Sequence, residues 1–108
     1  MIERYAVYRA TLGTSPGGQG AVLVVSDEAM NLNLDTVVVC PIGKLLHPRW
    51  PSRIRAMVDG REAEIAVDQI RTIAKARLGD RVDAVGDAAA AAVRHLITEM
   101  YGLLSLSS

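Results

Sequence analysis

The feature that most constrains the fold is the dipeptide Asp59-Gly60, which separates two short segments. Asp-Gly between alternating residues is the strongest short-range signal for a two-residue β-hairpin turn, because both turn residues must take positive φ. Residues 52–58 and 61–67 are therefore predicted to be two antiparallel strands. In the second strand, apolar residues alternate with Glu62 and Glu64, so we expect one of its faces to be wet.

Further strands are predicted on both sides of this hairpin. Residues 21–25 (AVLVV) and 36–42 (TVVVCPI) are apolar, β-branched runs too short for helices, which indicates buried central strands. Residues 4–10 alternate and predict a first strand, and residues 69–73 predict a short later one. Pro41 has no N–H group, so we expect it to mark the end of its strand.

The C-terminal segment predicts one long helix over about residues 87–104. Asp87 is the expected N-cap, residues 88–92 are alanines that favour a helix, and apolar residues then recur at spacings of three and four. Several strands followed by one helix favour an α+β, mostly β fold over an alternating βαβ order. The 108 residues of the chain fit a single domain.

Composition favours a small cytoplasmic protein with no membrane segment. No apolar stretch approaches the roughly 20 residues of a membrane helix, and Glu3 and Arg4 interrupt the place where a signal peptide needs an apolar core. Cys40 is the only cysteine, and within an apolar run its thiol is expected to be buried and unreactive, as in a reducing compartment. The formal net charge is zero, so overall charge does not attract the molecule to nucleic acid.

Positive charge is nevertheless concentrated in one segment of the chain. Five cations fall within eighteen positions and are opposed only by Asp59; they are Lys44, Arg49, Arg53, Arg55 and Arg61. Arginine holds phosphate or carboxylate through two parallel hydrogen bonds, which makes this segment a candidate binding surface. The alternative is a solvated strand-and-loop surface, and both interpretations stay open on the residues alone.

Several stretches of the sequence resemble one known family. They are Leu12-Gly13 with Gly17-Gly18, residues 22–26 (VLVVS), residues 39–42 (VCPI), and, most specifically, residues 68–73 (DQIRTI) followed by residues 75–78 (KARL). On these motifs the chain resembles, over nearly its whole length, the MazF/PemK/Kid toxins of type II toxin–antitoxin systems.

The resemblance implies a small SH3-like or CcdB-type antiparallel barrel with a C-terminal amphipathic helix. It also implies a homodimer, and a cognate antitoxin whose disordered segment covers the working face of the toxin. The implied activity is sequence-specific cleavage of single-stranded RNA without a metal ion or other cofactor. In that chemistry the 2′-hydroxyl attacks the adjacent phosphate, assisted by a base, a cation and an acid.

Two positions depart from the family pattern where that chemistry lies. Gly20 replaces the family's main catalytic arginine, and Gly43 replaces a catalytic threonine or serine. Loss of one group that stabilises an oxyanion costs about 10²–10³ in rate. Asp68 matches an acidic position that some members use for proton transfer; the alternative role is a carboxylate bonded to local backbone N–H groups.

Other residues are candidates to take over the missing roles. We expect Lys44 and Arg49 to act in catalysis together with Asp68, and His47 is suited to moving a proton. Trp50 either stacks on an unpaired base or fills the mouth of the barrel, and the family resemblance favours the mouth. The residues expected to contact RNA are Gln19, Gly20, Gly43, His47, Trp50, Arg53 and Arg71.

Two further functions are compatible with the same scaffold. CcdB-like gyrase poisons lack the catalytic arginine and threonine and act through a C-terminal aromatic–glycine end, to which Met100-Tyr101-Gly102 bears a loose likeness. The other alternative is a catalytically inactive relative that is retained for antitoxin binding.

Overall fold

A computed structural model describes residues 1–13 and 19–102 of the chain. Within these residues it contains seven strands and two α-helices. The strands are β1 (Ala6–Thr11), β2 (Gln19–Val24), β3 (Thr36–Gly43), β4 (Arg53–Val58), β5 (Arg61–Ala66), β6 (Arg71–Ala74) and β7 (Leu78–Ala84). The helices are α1 (Glu28–Asn33) and α2 (Asp87–Tyr101), and short 3-10 turns cover Val67–Gln69 and Lys75–Arg77.

The predicted hairpin is confirmed as β4 and β5. Asp59 (φ 52°) and Gly60 (φ 77°) both take positive φ, and pairing begins at the residues that flank them. A turn of this kind fixes the register of the whole hairpin, since a shift by one residue would turn every side chain to the other face. In this register Arg55 of β4 lies opposite Glu64 of β5.

The strands form one curled antiparallel sheet in the order β4-β5-β3-β2-β1-β7. Strand β3 is its centre and pairs with β2 along one edge. Along the other edge β3 pairs first with β6, through residues 36–39, and then with β5, through Ile42 and Gly43. This change of partner curls the sheet into a half-barrel, and the predicted mostly β, antiparallel barrel-type fold with a C-terminal helix is confirmed.

Apolar side chains pack on both faces of the curled sheet. On the first face, a cluster that includes Leu23, Cys40 and Ile65 is covered by α2, which contributes the fully buried Val93. The buried members of the cluster on the second face are Ala6, Tyr8, Ala10, Val22, Val24, Val37, Val39 and Ile73. Burial of each large aliphatic side chain contributes about 1.5–3 kcal/mol, so the two clusters stabilise the curvature that shapes the site.

Strand β3 does not end at Pro41, as the sequence had suggested, but continues to Gly43. The reason lies in the change of partner. Strand β3 pairs with β6 up to Val39 and with β5 only from Ile42 onward. The missing N–H group of Pro41 therefore falls at a gap in the pairing on that edge, where proline is tolerated.

The ends of the later elements also differ from expectation. Gly86, rather than Asp87, is the N-cap of α2, and Asp87 occupies its first turn. The helix ends at Tyr101, where Gly102 takes a φ of 88° and donates its N–H group to the Thr98 carbonyl. The last two residues of the predicted helix, 103 and 104, lie outside the described residues. Strand β6 begins at Arg71 after a 3-10 turn, so the expected strand over residues 69–73 starts two residues too early, and β7 was not predicted.

Candidate active site

Two glycines lie next to each other on one face of the sheet, where β2 begins and β3 ends. Ala21 pairs with Ile42, so one step further along the ladder Gly20 faces Gly43. A Cβ atom at Gly43 would meet nothing within 4 Å, and one at Gly20 would meet only Leu12 Cδ1, at 3.6 Å. The two glycines form a strip of bare backbone with room for a side chain at each position.

A cavity of about 240 Å³ opens beside Gly43. Besides the end of β3 and two apolar residues, it is lined by Lys44, Arg53, Glu64 and Gln69. A second cavity of similar volume, about 250 Å³, is lined by residues that include Arg9, Gly20 and Ala21. We take the first cavity as the candidate site because it combines an exposed cation with a buried carboxylate held in a dense hydrogen-bond network.

Glu64 of β5 is the centre of that network, and its side chain is only 3% exposed. Its Oε1 atom accepts hydrogen bonds from the backbone N–H groups of Leu46, at 3.0 Å, and His47, at 2.8 Å. Its Oε2 atom accepts one from Arg53 Nη1 at 2.5 Å. A buried carboxylate is tolerated only when it is paired and hydrogen-bonded in this way.

Arg53 of β4 links Glu64 to Asp68. Its Nε and Nη2 atoms donate to the two carboxylate oxygens of Asp68, at 2.7 and 3.2 Å. The Arg53 side chain is 10% exposed and that of Asp68 30%. Since all three guanidinium nitrogens already bond to carboxylates, the charge of Arg53 is compensated twice and is poorly placed to neutralise a phosphate.

Both carboxylates are held in their charged forms. Burial alone would raise the pKa of Glu64, but the hydrogen bonds from His47, Arg53 and Leu46 outweigh it and lower the pKa. The hydrogen bonds from Arg53 likewise lower the pKa of Asp68, against a smaller opposing effect of burial. A carboxylate whose pKa is lowered is a weaker base, which disfavours Asp68 as the proton acceptor of a reaction.

The 44–52 loop, which joins β3 to β4, covers this network. The His47 and Trp50 rings stack with their centroids 3.6 Å apart and an interplanar angle of 13°. The guanidinium carbon of Arg53 lies 4.9 Å from the centroid of the Trp50 ring. Trp50 is 47% exposed and belongs to neither apolar cluster, so the expectation that it fills the mouth of the barrel is wrong.

Three exposed cations surround the network. Lys44 lines the cavity, Arg49 directly precedes Trp50, and Arg71 begins β6 opposite Val39. None of the three forms an ion pair with any residue in the two described ranges, 1–13 and 19–102. Their charges are therefore available to an anionic ligand.

The predicted site residues fall into three groups. Gly43, Lys44 and Arg53 meet at the cavity, whereas Gly20 lines the second cavity, beside Arg9. Asp68 lies behind Arg53 and does not line the cavity. The remaining predicted residues lie in the 44–52 loop, on β6, or, for Gln19, at the start of β2, where the side chain is outside the described part of the structure.

Sequence reasoning missed Glu64, which it placed on a wet face of its strand. The side chain is buried because the 44–52 loop folds over it and Arg53 reaches it from β4. A usable signal was present. The Asp59-Gly60 turn fixes the register that sets Glu64 opposite Arg55, and Glu64 lies within an otherwise apolar run, Ala63 to Val67.

Two further features of the described residues bear on the class of protein. Within residues 1–13 and 19–102, His, Cys, Asp and Glu side chains nowhere gather in threes that would hold a metal ion. Neither helix in that part of the chain is long and apolar enough to cross a membrane.

The curled half-barrel, its covering helix and the exposed cations beside a bare strip of sheet define a small β protein with a surface suited to an anionic chain. The sequence matches the family described as PemK-like, MazF-like toxins of type II toxin–antitoxin systems over residues 3–101. The chain belongs to this family and is a toxin of a toxin–antitoxin pair. No curated protein sequence matches it significantly.

Solved structures agree with this assignment. An endoribonuclease in complex with its cognate antitoxin, from a mycobacterial species, is 25% identical with a TM-score of 0.82, and the alignment covers 97% of this chain and 99% of that one. A second mycobacterial endoribonuclease is 25% identical with a TM-score of 0.77, covering 96% and 95%. A MazE–MazF complex from Deinococcus radiodurans is 17% identical with a TM-score of 0.82, covering 95% and 98%, and shows likeness of fold.

Proposed function

We propose that this toxin is an endoribonuclease that cleaves single-stranded RNA at specific sequences without a metal ion. The observation that carries the proposal is the cavity at the end of β3, where the exposed cation Lys44 adjoins the bare backbone of Gly43. A strip without side chains lets an RNA phosphate approach the backbone closely. Support also comes from the two mycobacterial structures at 25% identity, which are endoribonucleases.

In the proposed reaction the RNA supplies its own nucleophile. The 2′-oxygen forms a bond to the adjacent phosphorus, the bond from phosphorus to the 5′-oxygen breaks, and the products are a 2′,3′-cyclic phosphate and a 5′-hydroxyl. Lys44 and Arg49 stabilise the additional negative charge on the phosphate oxygens in the transition state. They take the part that the missing arginine and hydroxyl play in the family pattern.

Proton transfer is assigned to His47 in preference to Asp68. The imidazole of His47 can accept the proton of the 2′-hydroxyl and return one to the leaving 5′-oxygen. Asp68 is tied to Arg53 at both carboxylate oxygens and is the weaker base. The exposed face of Trp50 offers a surface on which an unpaired base stacks, a contact worth about 1–3 kcal/mol per base.

The same proposal includes the partners of the toxin and its place in the cell. The whole chain acts as one domain, forms a homodimer and is neutralised by a cognate antitoxin in the cytoplasm, where RNA is translated. Solved structures titled as complexes with antitoxin support this part of the proposal. Light scattering after size-exclusion chromatography tests the dimer: a mass of twice 11.6 kDa is expected, and a monomer at micromolar concentration would contradict it.

Incubation of the purified toxin with a mixed-sequence single-stranded RNA in excess EDTA tests the activity. Fragments that end in a 2′,3′-cyclic phosphate are expected, and mass spectrometry of their termini identifies them. Intact RNA, or cleavage that requires added Mg²⁺, would contradict the proposal. Inhibition of gyrase supercoiling together with intact RNA would favour the CcdB-like alternative.

The structure gives the gyrase alternative no specific support. The only sequence feature that favours this alternative is the segment Met100-Tyr101-Gly102. Tyr101 Oη donates a hydrogen bond of 2.7 Å to the Val67 carbonyl of the toxin's own 3-10 turn. The hydroxyl of this half-exposed side chain is thus bonded within the toxin's own fold.

A further inference from the structure

We propose that Glu64 is a positioning residue for RNA binding: its buried carboxylate fastens the 44–52 loop, and with it Lys44, His47 and Arg49, to the sheet. The effect on RNA rests on the proposed function above, whereas the fastening of the loop does not. No residue of the family pattern set out above corresponds to this role. The two oxygens of Glu64 bond to different elements, Oε1 to the loop and Oε2 to β4.

The 44–52 loop contains neither a helix nor a strand, so its order depends on contacts with its surroundings. The hydrogen bonds that the loop makes to a sheet side chain converge on one atom. Glu64 Oε1 accepts the backbone N–H groups of two consecutive residues, Leu46 and His47. Two successive N–H groups directed at one oxygen fix the orientation of the peptide plane between them. They therefore fix the direction in which the loop continues from His47.

The contacts of Glu64 continue around a closed circuit. The His47 carbonyl accepts the Trp50 N–H group at 3.1 Å, and the Trp50 carbonyl accepts the Arg53 N–H group at 3.1 Å. The Arg53 guanidinium then returns to Glu64 Oε2. Loss of that carboxylate therefore removes the anchor of the loop at Leu46 and His47 and one of the two carboxylate partners of Arg53.

Glu64 does not act on RNA directly. Its side chain is 3% exposed, and both of its oxygens already accept hydrogen bonds from the protein. A role in function must therefore pass through the groups that it holds, of which Lys44 and Arg49 are exposed cations of the 44–52 loop. Misplacement of a binding group by about 1 Å costs up to 10²-fold in activity, so a loosened loop is expected to matter.

The test compares Glu64→Ala and Glu64→Gln with the control variant Asp68→Asn. Glutamine keeps an oxygen that can accept from Leu46 and His47 but loses the charge that attracts Arg53, so E64Q is expected to fall between wild type and E64A. D68N weakens the other partner of Arg53 and leaves both backbone bonds to Glu64 intact. Circular dichroism and melting temperature establish that each variant is folded.

Trp50 is the only tryptophan, so its fluorescence reports on the 44–52 loop without any assumption about RNA. In E64A we expect red-shifted emission and stronger quenching by acrylamide, with little change in D68N. For RNA, E64A is expected to raise KM about tenfold or more and to lower kcat as well, because the loop carries groups that bind the substrate and groups that act in the reaction. E64Q is expected to recover part of both effects.

Failure of the inference and failure of the proposed function are separable. Unchanged Trp50 emission and quenching in folded E64A, or in folded E64Q if E64A does not fold, would overturn the fastening role. A released Trp50 together with a wild-type KM would overturn the link from Glu64 to RNA. A wild-type toxin that neither cleaves nor binds RNA would overturn the proposed function, and the Trp50 signal would still decide the role of Glu64 in the loop.

Discussion

Arg53 and Lys44 carry the same charge, yet their surroundings give them different capacities. Arg53 is nine-tenths buried and bonded to two carboxylates, so a phosphate would have to displace a partner that is already in place. Lys44 lines the cavity and has no ion-pair partner within the described part of the chain. On charge alone, both side chains would be predicted to bind RNA. Burial and the two carboxylate partners of Arg53 distinguish it from Lys44.

The carboxylates of Glu64 and Asp68 predict how stability depends on pH. Folding lowers both pKa values, so their stabilising contribution is complete above the unfolded values of about 4.3 and 3.9 and is lost as the pH falls through the folded values. We expect a melting temperature that is nearly constant from pH 7 to 5 and declines below about pH 4.5. Differential scanning calorimetry of wild type and of the variant E64Q/D68N measures this. The melting temperature of the variant should decline less at low pH than that of wild type. Identical pH profiles would contradict the assignment of this decline to Glu64 and Asp68.

The thiol of Cys40 predicts a chemically silent cysteine. It lies on the central strand with no exposed surface, and burial, aided by the charge of Asp68, raises its pKa to about 12. Since the thiolate is the reactive form, we expect no labelling by a thiol-specific disulfide reagent in the native protein and rapid labelling after unfolding in guanidinium chloride. Absorbance of the released thiolate follows the reaction, and rapid labelling of the native protein would be incompatible with this burial.

At the same scale, sequence reasoning identified Lys44 and Gly43 as site residues but assigned Glu64 to solvent. A period of two identifies which residues share a face of a strand; it does not reveal what covers that face. Here the 44–52 loop covers the Glu64 side of β5, and the path of this irregular loop depends on hydrogen bonds to residues distant in sequence. The charge compensation of Arg53 escaped prediction for the same reason, because its partner Asp68 is fifteen residues away along the chain.

At the scale of elements, local turn chemistry made the β4–β5 hairpin predictable. Asp59 and Gly60 take the two positive φ values that this turn requires. Strand β7 was missed because its sequence, LGDRVDA, has neither the alternation nor the β-branched content of a strand. It is held by pairing with β1 and by Asp83, which accepts the backbone N–H group of Asp59 at 2.6 Å and so ties the hairpin tip to the opposite edge of the sheet.

The hairpin turn gives a prediction for stability. Gly60 has a φ of 77°, a conformation that costs a residue with a Cβ atom about 1 kcal/mol. We expect Gly60→Ala to lower the free energy of unfolding by about that amount in urea titrations. Gly13→Ala is the control, because a Cβ atom there meets nothing within 4 Å and the backbone is not in the positive-φ region. Equal stability of the two variants would contradict the proposed cause.

At the scale of the whole molecule, the scaffold of the family is retained, and glycine stands at the two positions where the family resemblance leads us to expect catalytic side chains. The fold depends on apolar runs and turn residues spread along the chain, which is why it was predictable. The chemistry depends on a few side chains at the end of β3, which local patterns constrain far less. Gly20 and Gly43 both have room for a side chain, so the departure from the pattern is not imposed by packing.

That room makes a restoration experiment feasible. The double variant Gly20→Arg/Gly43→Thr restores the residue types of the family pattern, and we expect it to raise the rate of RNA cleavage by about tenfold or more, since a placed oxyanion donor is worth about 10²–10³. Gly20→Ala/Gly43→Ala adds the Cβ atoms alone and is the control. Equal rates in the two double variants, measured under single-turnover conditions, would show that the strip does not face the reacting phosphate.

The cations of the 44–52 loop are proposed to carry the chemistry, and this claim is tested by single-turnover cleavage of RNA in EDTA by Lys44→Ala and Arg49→Ala. Arg94→Ala, which alters an exposed arginine of α2, is the matched control for loss of positive charge. We predict that K44A and R49A each lower the cleavage rate at least about tenfold, while R94A cleaves at the wild-type rate. Wild-type rates in both K44A and R49A would contradict the claim.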